Sequence, residues 1–237
     1  MSKIYFFRHA QASYGAVNYD KLSLKGEQQS AALGKHFAEQ SIRFDRIFVG
    51  PLERQKHTLN IVREMYKQQD LTLPNPIVLP ELKEHHGFQA TKKALPEFIS
   101  SVPLLRRLQS EVDENPALQR RNSLLMSQYF IEEWAEGRVE VAGFESWKMF
   151  RENVTKGLTT ILDATEKGET VGVFTSGGTI SAIIANVLNL KEERKVAAMN
   201  FSIRNTSFST LLYSENKLNL MSLNELPHLS GDMVTFV

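Results

Sequence analysis

Arg8 and His9 follow directly on an apolar run, Ile4-Tyr5-Phe6-Phe7, near the start of the chain. An arginine fork beside an imidazole suits the handling of a phosphate or carboxylate, since the fork grips the anion bidentately while a ring nitrogen attacks it. A neutral imidazole is a good nucleophile once its other nitrogen is held as a donor, and a backbone carbonyl at a strand end can hold it. A second arginine, Arg54, falls in what reads as the first turn of a helix, where free N–H groups and the positive end of the dipole favour an anion. Together Arg8 and Arg54 would neutralise the oxygens of a transferring phosphoryl group without demanding a metal. A leaving alkoxide needs a proton, and Glu81 and Glu84 both lie in the loop Pro80 to Gly87. His85 and His86 follow Glu84 and make this loop dense in titratable groups. Each residue also has an ordinary reading: a solvated strand end for Arg8 and His9, and a surface pair with Glu53 or Asp45 for Arg54.

The elements that must position these groups follow from hydrophobic periodicity. Ile4 to Phe7 reads as a strand buried on both faces, which sets Arg8 and His9 at its carboxyl end, where open α/β sheets bind ligands. A helix is expected after Gly26, with Leu33 and Phe37 on its apolar face and His36 turned to solvent. Phe44 to Val49 reads as a second strand, and Gly50-Pro51 leads into a helix starting near Glu53. Pro76 to Leu79 is a third short strand ending in the glutamate loop. From Phe88 to about Gly137 the pattern is helical, with breaks at Leu95-Pro96 and Asn115-Pro116 and a long helix from Pro116 to Trp134. Arg106, Arg107, Arg120 and Arg121 make this insert basic, either as a solvated face or as a wall that touches substrate. Gly143-Phe144-Glu145-Ser146 opens a further helix. Thr170 to Thr175 is a strand, Ser176-Gly177-Gly178 a tight turn and Ile180 to Leu190 an apolar helix, a junction that would aim backbone N–H groups at an anion. Lys191 to Lys195 reads as a solvated charge run. Ser207 to Tyr213 and Leu218 to Leu223 form a closing hairpin around Glu215-Asn216.

Composition sets the outer bounds. A chain of 237 residues can bury roughly 70% of its unfolded surface. A formal charge of +1 gives no long-range field for nucleic acid or an anionic membrane, so local residues must hold any anion. The absence of cysteine excludes disulfides and thiolate chemistry and fits a reducing compartment. Four apolar residues before Arg8 are too few for a signal-peptide core, and no later run approaches about 18, so a cytoplasmic protein is expected. No G-x-G-x-x-G or G-x-x-x-x-G-K occurs, which argues against dinucleotide or nucleoside triphosphate binding.

The wider pattern resembles the histidine phosphatase superfamily, also called phosphoglycerate mutase-like. It runs from Arg8-His9 through Leu22-Ser23-x-x-Gly26-x-Gln28 to Pro51-Leu52-x-Arg54 with Thr58. Downstream come Leu82-x-Glu84, Gly143-Phe-Glu145-Ser146 with Arg151, Ser176-Gly177-Gly178, Asn224 and His228-Leu229. The resemblance implies an α/β three-layer sandwich, with a mostly parallel central sheet and helices on both faces. It implies one domain over residues 1–237 with a helical cap insert at about 88–142. It implies His9 as nucleophile, Glu84 as proton donor, and Arg8, Arg54, Ser176, Gly177 and Gln11 at the substrate, with no metal or other cofactor. The activity implied is hydrolysis of a small phosphomonoester through a phosphohistidine. A mutase and a non-catalytic phospholigand-binding protein are the alternatives. Three departures stand out. Ser176 replaces the second histidine that relatives place opposite the nucleophile, so restoring histidine there is expected to raise activity. Ala10 stands where relatives carry glycine, and Gly87 lies three residues after Glu84 rather than four.

Overall fold

The computed structural model describes residues 1–13, 20–215 and 217–236; Asn216, expected in the hairpin turn, lies outside them. The first strand, β1 (Ser2–Arg8), lies inside a six-stranded sheet. It pairs in parallel with β4 (Thr170–Thr175), so that Phe7 stands beside Phe174 and Arg8 beside Thr175. On its other side it pairs antiparallel with β5 (Phe208–Ser214). Further out, β2 (Arg46–Val49) runs parallel between β4 and β3 (Pro76–Val78), and β6 (Lys217–Glu225) closes the opposite edge against β5. The spatial order is β3-β2-β4-β1-β5-β6, mostly parallel, as the sequence leads one to expect.

Alternation along β1 explains why the run is apolar on both faces. Tyr5 and Phe7 pack on one face with Leu33 and Phe37 of α1 (Leu24–Glu39) and Leu59, Val62 and Tyr66 of α2 (Glu53–Lys67). Ile4 and Phe6 point to the other face, toward α5 (Gln119–Ala135), α6 (Trp147–Asp163), α7 (Gly177–Val187) and α8 (Glu193–Asn200). Between β3 and α5 the chain forms α3 (Gly87–Ser101) and α4 (Pro103–Glu114), which join α5 in a small apolar cluster around Leu105, Leu108 and Met126.

Three local expectations are corrected. Gly26 does not precede the first helix; α1 begins at Leu24, with Ser23 accepting the Gly26 N–H at 3.0 Å as its cap. Pro96 does not break α3, because Lys92, whose carbonyl loses its donor four residues on, is exposed and can be served by water; the break falls at Val102-Pro103. Gly177 and Gly178 are not a turn before the helix but its first residues. The run Lys191 to Lys195 is solvated as expected, and it leads into α8, whose Val196 and Ala197 are fully buried against the core.

Three histidines are held neutral by this packing. Burial pushes His9 and His85 below the ordinary histidine value, and burial together with nearby His36 brings His228 down to about 4. Below pH 6.5 the unfolded chain therefore takes up protons that the folded chain refuses. Stability is expected to fall as the pH drops from 6.5 toward 4. The urea midpoint should be lower at pH 5 than at pH 7, and His228→Gln should flatten that slope. Equal midpoints at both pH values would contradict the assignment.

Candidate active site

His9 is 4% exposed and its ring is fixed from both sides. The carbonyl of Ala10 lies 2.7 Å from Nδ1 and can only accept, so Nδ1 carries the proton. The Nε–H of Arg54 donates to Nε2 at 3.1 Å, which requires a lone pair there. Burial and the charges of Arg54 and Arg8 hold this imidazole well below its usual pKa, so the neutral tautomer with a nucleophilic Nε2 prevails at neutral pH. The Arg54 guanidinium is itself held by Asp20, whose Oδ1 accepts from Nη1 at 2.7 Å while Oδ2 accepts the Glu53 N–H at 2.8 Å. Arg8 donates through Nη1 to the carbonyl of Ile203. The segment carrying that carbonyl is tied down by Asn224, which accepts the Arg204 N–H at 2.9 Å and donates to the Ser202 carbonyl at 2.8 Å.

Glu84 enters from the loop after β3. Its Oε1 accepts the His85 backbone N–H at 3.0 Å and its Oε2 the Gly178 N–H at 3.1 Å. The first turn of α7 thus spends an N–H group on the protein's own carboxylate. Gly178 is required for this approach, since a Cβ there would stand 2.2 Å from Glu84 Oε1. His85, 6% exposed, accepts the Gly87 N–H on Nδ1 at 3.0 Å, so its neutral ring presents Nε2–H toward Glu84 Oε1, 3.5 Å away. The side-chain amide of Asn200 lies 3.2 Å from the same nitrogen. Glu81, the alternative donor, packs instead against Gly157 of α6.

Arg8, His9, Arg54 and Glu84 share one cavity of about 360 Å³, closed over by residues of α3 and α5 and by the end of α8. Among the described residues, the lining does not include Ser176, Gly177 or Gln11. Gly177 packs against Arg8 and Asn200. Gln11 receives the Ser23 hydroxyl on Oε1 at 2.9 Å and donates its own N–H to Gln29. Ser176 is fully buried, and its Oγ accepts from Gln55 Nε2 at 2.8 Å. Gln55 also donates to the Leu82 carbonyl at 3.1 Å and accepts the Leu52 N–H at 3.0 Å, so it ties the start of α2 to the glutamate loop. An imidazole at position 176 would have to displace Gln55 from this seat. Ser176→His is therefore expected to lower rather than raise activity and to reduce thermal stability, measured by Tm and by hydrolysis rate. A rise in both would restore the expectation drawn from the resemblance.

The basic residues of the insert, Arg106, Arg107, Arg120 and Arg121, are all exposed and none lines the cavity; Arg107 pairs with Glu111 at 3.1 Å. Among the described lining residues, sequence reading did not single out Gln89, Thr91, Ser123, Ser127, Asn200 or Phe201. For Asn200 the one local sign was the apolar pair Val196-Ala197 behind the charge run, in the helix that carries it. A larger open groove of about 1300 Å³ between the end of α5 and α6 contains none of Arg8, His9, Arg54 or Glu84. Arg151, on its wall, is spent on the Ala182 carbonyl and the Asn186 side chain. Among the described residues, no group of three or more histidine, aspartate or glutamate side chains is placed to hold a metal ion. None of their helices is long and apolar enough to cross a membrane.

A mostly parallel sheet with an arginine-flanked, neutral histidine at the carboxyl end of an inner strand, sharing a cavity with a glutamate, is an arrangement suited to handling a phosphate. The sequence profile of the histidine phosphatase superfamily (branch 1) matches residues 4–226, and the chain belongs to that superfamily, as an enzyme of the phosphatase or mutase type. No curated protein sequence matches it. Solved structures share the fold at low identity. A phosphoserine phosphatase mutant from Entamoeba histolytica in complex with phosphoserine is 15% identical with a TM-score of 0.62, over 97% of this chain and 100% of that one. Phosphoglycerate mutase from Bacillus anthracis is 17% identical with a TM-score of 0.62, over 96% of this chain and 94% of that one. The mycobacterial glucosyl-3-phosphoglycerate phosphatase is 18% identical with a TM-score of 0.59, over 94% of this chain and 99% of that one.

Proposed function

We propose that the chain is a metal-independent phosphomonoesterase that hydrolyses a small phosphate ester through a phosphohistidine on His9. The observation that carries this reading is the fixed tautomer of His9, with Nδ1–H on the Ala10 carbonyl and the Nε2 lone pair turned to the Arg54 guanidinium. In the first step the Nε2 lone pair bonds to phosphorus and the bond from phosphorus to the ester oxygen breaks. Glu84 supplies the proton that the leaving alkoxide takes up. Arg54 and Arg8 take the charge spread over the equatorial oxygens. In the second step water attacks the phosphohistidine, its proton passes to the Glu84 carboxylate, and inorganic phosphate leaves with His9 again neutral. Relatives of the same fold that bind phosphoserine or 3-phosphoglyceric acid support a small phosphorylated ligand.

The test is hydrolysis of an aryl phosphate with chelator present and no added metal, run beside an alkyl phosphate. Wild type should turn over both. Glu84→Gln should lose more on the alkyl ester, whose leaving group needs its proton, than on the activated aryl ester. Binding of phosphate without turnover of either ester would favour the phospholigand-binding alternative.

A further inference from the structure

A glutamate carries its carboxyl group on several rotatable bonds, so a proton donor of this type must be held in direction as well as in place. The backbone of the Glu84 loop is already seated on the sheet and on α7. Thr175 donates to the Leu82 carbonyl at 2.8 Å and Thr179 to the Lys83 carbonyl at 3.1 Å. The carboxyl group itself is gripped by the backbone N–H groups of His85 and Gly178, and beside its Oε1 stands the His85 ring. That ring lies in an aromatic box, with centroids 5.6 Å from Trp134 of α5 and 5.7 and 5.3 Å from Trp147 and Phe150 of α6. It covers Gly178 so closely that a Cβ there would stand 2.6 Å from the imidazole Cδ2.

For packing alone a phenylalanine would suit this box, since each polar edge of a buried imidazole has to be answered. Nδ1 is answered by the Gly87 N–H at 3.0 Å, which puts the proton on Nε2. Because Nε2 donates, the Asn200 side chain 3.2 Å away serves it through the amide oxygen, and Glu84 Oε1 lies 3.5 Å from the same nitrogen. Burial keeps the ring neutral, so it adds direction to the carboxyl group without adding a second charge. We infer that His85, anchored by Asn200, is the positioning residue of Glu84, its Nε2–H edge holding the carboxyl group in the orientation from which the proton is delivered. This deepens the phosphomonoesterase reading and rests on it for the role of Glu84.

Two substitutions separate the two edges of the ring. His85→Gln keeps a donor near the place of Nε2, whereas His85→Asn keeps an acceptor near the place of Nδ1 for the Gly87 N–H and loses the edge that faces Glu84. On an alkyl phosphate His85→Asn should lower kcat about 10-fold with KM changed less than about twofold, and on an aryl phosphate it should cost less than about threefold. His85→Gln should stay within about threefold of wild type on both esters. In a Glu84→Gln background His85→Asn should change the alkyl rate less than about twofold, because no proton donor is left to position. Equal losses on both esters, rescue by Asn rather than Gln, or an undiminished loss in the Glu84→Gln background would assign His85 to packing and overturn the inference. Side-chain NMR of histidine-labelled full-length protein tests the contact without turnover. The His85 ring, identified by its absence in His85→Gln, should be neutral with its proton on Nε2, and Glu84→Gln should move that resonance; an unmoved resonance also overturns the inference. If the resonance moves while wild type hydrolyses neither ester, the phosphomonoesterase reading fails and the positioning of Glu84 by His85 stands.

Discussion

His9→Ala should abolish turnover, with a fall in kcat on the order of 10⁴-fold or more, because it removes the nitrogen to which phosphorus must bond. The loss should come without loss of the fold: His9 stands at the end of β1, and the strand pairing depends on backbone atoms that alanine keeps. Quenched wild type should carry phosphate that is labile in acid and stable in base, the signature of a phosphoramidate, and the variant should carry none. The pH profile adds a second check. A protonated imidazole has no lone pair, so activity that depends on His9 is lost as the pH falls through its pKa. Burial and the charges of Arg54 and Arg8 place that loss well below 6.5. The acid limb of kcat/KM should therefore not fall at the ordinary histidine value. Undiminished hydrolysis by His9→Ala would end the phosphohistidine proposal.

Arg54→Lys should cost about 100- to 1,000-fold in kcat/KM despite conserving the charge. The guanidinium does two jobs at once: Nε–H faces the nucleophilic nitrogen of His9 and Nη1 is anchored on Asp20 at 2.7 Å. An ammonium is a single point charge. If it reaches Asp20 it leaves His9, and in neither place does it present two parallel donors to phosphoryl oxygens. Because Arg54 is 8% exposed, the shorter head group would also leave a gap that the neighbours cannot readily close. Steady-state kinetics with an aryl phosphate would show the loss, and wild-type kinetics would remove Arg54 from the site. Asp20→Asn should cause a smaller loss, since it loosens the anchor without removing the fork.

The residues that the sequence brings into view are those whose role depends on local pattern. Five-residue stretches sufficed to put Arg8 and His9 at a strand end and Arg54 in a helix start, because buried strands and helix caps write themselves into hydrophobic order and proline placement. The resemblance and the titratable neighbours favoured Glu84 over Glu81 as donor, and of the two it is Glu84 that lines the cavity. What local pattern does not carry is where a side chain points after distant elements meet. Ser176 follows a buried strand as expected, yet its hydroxyl turns to Gln55, a partner 121 residues away, rather than into the cavity. Asn200 reaches the cavity on a helix that follows a charge run and shows itself in the sequence by little more than the apolar pair Val196-Ala197. Pro96 sits within a helix because exposure of one carbonyl makes the missing N–H cheap, a fact of tertiary placement.

The position of β1 between a parallel and an antiparallel neighbour has a consequence for how the protein comes to exist. Its contacts join segments far apart in the chain. Arg54 meets His9 across 45 residues, Gly178 meets Glu84 across 94, and Arg8 meets Ile203 across 195. None of these approaches can form until strands from both halves of the sequence have been laid beside one another, and closing such long loops is slow. The candidate site is thus a property of the assembled sheet and of no smaller piece. A chain still emerging from the ribosome, or clipped before residue 203, holds His9 and Arg54 but lacks the carbonyl that seats Arg8.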